Sequence, residues 1–117
     1  MGLAGIRDHA RARATQERGS CETAAAGREF LEAVAIAYDA ACDCVARYAA
    51  HAEELAATET DATRRVDLAR IGAACHELAV GAPASFHAAL QLVQFVRDHD
   101  DGSGRWLVEW WILGERL

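Results

Sequence analysis

Side chains of the kind that bind metals or act as nucleophiles and bases are spread along this chain, among them Cys42, Cys44, Cys75, His51, His76 and His87. Thiolates and imidazoles are the ligands of structural zinc, which favours Cys-x2-Cys pairs or histidines at helical spacing. Neither pattern is present. Cys42 and Cys44 are two residues apart, about 200° around a helix, so they face opposite ways. Adjacent Cys75 and His76 diverge as well. Di-iron bundles use Glu-x-x-His pairs, and Glu53, Glu54 and His76 do not make them. Cys75 reads as a small buried hydrophobe. His87, in the first turn of its helix, reads as a helix-end or packing residue. A catalytic histidine needs a hydrogen-bonding partner, and the sequence shows none. It therefore assigns no catalytic, cofactor-binding or metal-ligating residue, and no cofactor is expected.

The elements that position these residues are helical. Leu3 to Arg18 is a weak helix candidate, with Ile6, Ala10 and Ala14 on one face. Gly19-Ser20 breaks it. Thr23 to about Ala57 contains no proline. Phe30, Val34, Tyr38, Ala41, Val45, Tyr48, Ala52 and Leu55 recur at spacings of 4, 4, 3, 4, 3, 4 and 3, a stripe that predicts one helix about 50 Å long. A third helix runs from about Asp61 to Leu78. Thr60 is its expected cap, and Leu68, Ile71, Cys75 and Leu78 form its stripe. The short connection predicts an antiparallel hairpin of the second and third helices. Gly81-Ala82-Pro83 turns the chain into a fourth helix, Ser85 to about Asp98, with Ser85 as cap. Leu90, Leu92, Val93, Phe95 and Val96 point several ways around its axis. A surface helix confines such residues to one stripe, so this helix calls for cover on more than one side. The predicted fold class is all-α: a long antiparallel hairpin, a third main helix, a weak N-terminal helix and an apolar C-terminal tail.

That tail follows a polar, glycine-containing break at Asp98 to Gly104. It reads Trp106-Leu107-Val108-Glu109-Trp110-Trp111-Ile112-Leu113, with all three tryptophans of the chain. It must pack on the hairpin or on a partner, or it is an exposed sticky patch. The length suits one domain over residues 1–117, divided into a weakly ordered helix at 1–20, a helical core at 21–98, and linker plus tail at 99–117. Alanine contributes 27 residues. It is the best helix former but buries little area, so the chain is strongly helical and thin in core material. All 12 basic residues are arginine, a bias of GC-rich bacterial genomes. A net charge of −6 argues against nucleic-acid binding. No apolar run long enough to span a membrane is present, and the absence of a signal-like apolar core predicts a cytoplasmic location.

One stretch carries a family resemblance. Pro83-x-Ser85-Phe86-His87-x-Ala89-Leu90-Gln91-Leu92-x-x-Phe95 resembles a segment of the pyruvate formate-lyase-like glycyl radical enzymes. Arg28-Glu29-Phe30-Leu31-Glu32-Ala33-Val34, then Arg47-Tyr48-Ala49 with Ala52 to Ala56, then Arg64 to His76 are similar to the same family in order and spacing. The resemblance covers residues 28–96. It implies radical cleavage of C–C, C–O or C–N bonds in an anaerobic cytoplasm. The family needs a glycine near the C-terminus, converted by a partner enzyme to a backbone radical, and a cysteine on a loop inside a barrel. This chain has neither the glycyl motif nor that loop. Cys21-Glu22 copies the family's cysteine–carboxylate dipeptide in the wrong place, ahead of the first matching helix. Gly102-Ser103-Gly104-Arg105-Trp106 reads as a compressed remnant of a later stretch, and no substrate role is given to Ser103 or Arg105.

Three functional readings follow. The first is a truncated or split homologue of such an enzyme, part of its N-terminal helical region and not catalytic alone. Its partner is then the remaining part of the enzyme. The second is a stand-alone interaction or oligomerisation module that self-associates through Trp106, Trp110 and Trp111. The third is a small ligand- or metal-binding bundle. No nucleic-acid or membrane partner is expected under any of them.

Overall fold

The structure, a computed structural model, describes residues 1–17, 19 and 21–98. They form four helices: α1, Leu3–Gln16; α2, Glu22–Thr58; α3, Ala62–Val80; and α4, Phe86–Asp98. No strand occurs among the described residues, so the all-α expectation holds. The tail and its tryptophans lie outside the described residues.

The long helix α2 is the spine. At 37 residues it is about 55 Å long, nearly the 61 Å long axis of the molecule. Two shorter helices lie along it, one after the other. Helix α1 turns into α2 through a connection pinned by Arg28, whose Nη1 donates to the carbonyls of Glu17 and Gly19 at 3.1 and 2.8 Å. Arg7 of α1 reaches Asp39 of α2, so α1 runs antiparallel along the N-terminal half of the spine. Helix α3 follows the Thr58–Asp61 turn and runs back along the C-terminal half. There the place of a Gly72 side chain is 3.5 Å from the Ala49 carbonyl oxygen and 3.7 Å from the Ala52 methyl group. The two short helices meet where α3 ends and α1 begins. A Cβ on Gly2 would overlap the Gly81 carbonyl and stand 2.7 Å from the Ala82 Cα.

The core mixes alanine and cysteine with a few larger apolar side chains. Leu31, Val34, Ala35, Tyr38, Cys42, Val45, Ala49 and Ala52 are buried on α2. Leu3, Ala4, Ile6 and Ala10 face them from α1, and Gly72, Ala74, Cys75 and Leu78 from α3. The stripe expected on α2 is thereby corrected. Phe30, Tyr48 and Leu55 are exposed to half or thereabouts, while Leu31, Ala35, Cys42 and Ala49 take the inward positions. The seam is rotated by about 55° from the row of largest residues. Alanine, cysteine and glycine let two backbones approach closely, and close approach gains contact along the whole seam.

Helix ends follow local chemistry. The expected cap of α3, Thr60, is replaced by Asp61, whose Oδ1 accepts from the Arg64 amide at 2.9 Å. Glu59 adds a carboxylate that accepts the Thr60 and Asp61 amides at 2.9 and 3.0 Å. Those bonds hold its carboxyl below the usual range, the Asp61 bond first. Ser85 caps α4 as expected, its Oγ accepting from the Ala88 amide at 3.0 Å.

Candidate functional site

The residues that the sequence raised as metal ligands come together at most in pairs, His76 with Glu53 and His51 with Glu54. Cys42 faces the core between α1 and α2, Cys75 the core between α2 and α3, and both are buried. Burial raises both thiols above their ordinary value, and for Cys42 it outweighs the opposing pull of Arg7. Cys44 is half-buried, His51, His76 and His87 are exposed, and Cys21 is exposed. Among the described residues, no three histidine, cysteine or acidic side chains gather as a metal site would require. All four cysteines are free thiols.

The polar side chains instead tie helices together. Asp39 receives Arg7 Nη1 at 3.3 Å and Arg11 Nη2 at 3.1 Å, which clamps α1 to the spine. Arg7 also donates its Nε to Asp8 at 2.8 Å, which lowers the Asp8 carboxyl from its usual range. His76 Nε2 meets Glu53 Oε1 at 2.8 Å, linking α3 to α2 on an exposed face. His51 pairs with Glu54 at 3.7 Å within α2. Exposed pairs of this kind contribute little to stability and leave their charges in water, which is poor ground for acid–base catalysis.

One device that sequence reasoning missed shapes the approach to α4. Glu77, in the last turn of α3, turns its carboxylate over the Gly81–Pro83 connection. It accepts the Ala84 amide and, at 3.2 Å, the Ser85 amide. These donors belong to the entry of α4, where no carbonyl is available to them. An acidic residue shortly before a proline turn was the available signal.

Helix α4 shows two apolar faces. Ala88, Leu92 and Phe95 turn inward. The Phe95 ring sits edge-on to Tyr48 of α2, with centroids 4.8 Å apart at 78°. On the opposite side Phe86, Leu90 and Val93 are 80%, 52% and 56% exposed. The sequence expectation of a helix apolar on more than one side is thus met in three dimensions. Phe86, Leu90 and Val93 form an exposed apolar row on the outer side of α4, and it is the candidate functional surface.

A profile of the pyruvate formate lyase-like proteins matches residues 1–97. The chain belongs to that family. The match takes in α1, which the sequence resemblance, beginning at residue 28, left out. A probable dehydratase of Escherichia coli, YbiW, is 34% identical over 96 residues, covering 82% of this chain and 12% of the relative. The trans-4-hydroxy-L-proline dehydratase of Clostridioides difficile is 39% identical over 66 residues, 56% of this chain and 8% of the relative. Among solved structures, the glycerol-bound B12-independent glycerol dehydratase of Clostridium butyricum superposes with a TM-score of 0.76 at 31% identity. It covers 82% of this chain and 12% of that one. The chain therefore spans about an eighth of the length of the relatives it matches. No helix among the described residues is long and apolar enough to cross a membrane.

Proposed function

We propose that this chain is one helical segment of a glycyl radical dehydratase and performs no radical chemistry by itself. In this reading the pyruvate formate lyase-like enzyme works in the cytoplasm of a bacterium and eliminates water from a hydroxylated substrate. The observation that carries the reading is the pairing of a match over residues 1–97 with a share of only 12% of the relatives. The family's helical beginning is represented, and the residue types its reaction needs do not converge. The described polar groups support helix packing: Asp39 holds α1, Glu77 holds the turn before α4, and Asp61 caps α3. Residues that choose the substrate belong to the barrel, beyond this segment. This chain supplies a scaffold of three packed helices and presents α4.

The genomic sequence downstream of codon 117 tests this directly. A reading frame with the cysteine loop and the glycyl motif is expected there, and its product should co-purify with this chain. If no frame in the genome completes the enzyme, the split-enzyme reading is overturned. The purified chain alone should give no dehydratase turnover with glycerol after treatment with an activating enzyme. Turnover by the chain alone would equally overturn the reading.

A further inference from the structure

We draw no further inference here: the strongest candidate, the exposed apolar row of Phe86, Leu90 and Val93 on the outer side of α4, carries nothing because nothing in the structure shows what covers it.

Discussion

Gly2 stands where a methyl group has no room, against the backbone of Gly81 and Ala82. Backbone cannot swing aside as a flexible side chain does. Gly2→Ala should therefore push the start of α1 off the end of α3 and cost about 1–3 kcal/mol, the range of overpacking, read as a lower Tm. Gly27 is the opposite case. It lies inside α2 with nothing within 4 Å of a built Cβ, so Gly27→Ala should stabilise by about 0.5–1 kcal/mol through helix propensity alone. A fall in Tm there would show that the site is more crowded than it is here. The thiols give a pH dependence. Cys42 and Cys75 are raised from 9.0 and Tyr38 from 10.0, all by burial. A group raised on folding holds its proton more tightly in the native state. Its contribution is complete below the unfolded value and lost as pH climbs through the folded one. Stability should therefore change little from these groups below pH 9.0 and decline above it. Urea midpoints at neutral and alkaline pH measure the slope, and Cys75→Ala should flatten it. In the native protein, alkylating reagent should reach exposed Cys21 well before Cys42 and Cys75, a ranking that mass spectrometry resolves.

At the scale of elements, the caps and the seam behave differently. Asp61→Ala removes the acceptor for the Arg64 amide and should cost about 1 kcal/mol. Thr60→Ala should cost far less, and thermal melts of the two variants decide between them. Helix boundaries were legible in the sequence, because proline, glycine and the Thr58–Asp61 cluster act locally. The four expected segments agree with α1 to α4 within two residues at each end. The buried face of α2 was less legible. Tyr38, Val34 and Val45 of the expected stripe are buried, yet Phe30, Tyr48 and Leu55 are half exposed, and Leu31, Ala35, Cys42 and Ala49 take the remaining inward positions. Hydrophobic size marks which residues want burial, and close approach marks which can sit between two backbones. On an alanine-rich helix these demands separate. Phe95 satisfies the first through Tyr48. Phe95→Asp should lose that ring contact and place a charge against the core, lowering Tm by several degrees. An unchanged melt would mean α4 is not held by this face.

For the molecule as a whole, length is the deciding quantity. The match takes in residues 1–97 and spans about an eighth of the relatives' length, so the described helices correspond to one part of a much longer fold. A chain thin in large apolar residues nevertheless leaves some of them on its surface. Ile36, Val80 and Phe86 are each at least 70% exposed. The sequence by itself determined the all-α class, the helix limits, the cap at Ser85, and the family through an ordered series of segments. Those properties are local or additive along the chain, set by propensity, capping and spacing. Only the tertiary structure decided that α1 and α3 share the spine end to end, with Gly2 at their junction. It alone placed Glu77 over the turn before α4, and turned the seam of α2 toward Leu31, Ala35, Cys42 and Ala49 and away from Phe30, Tyr48 and Leu55. Each of these depends on which backbones come within contact distance, and that distance is set by all the helices packing at once.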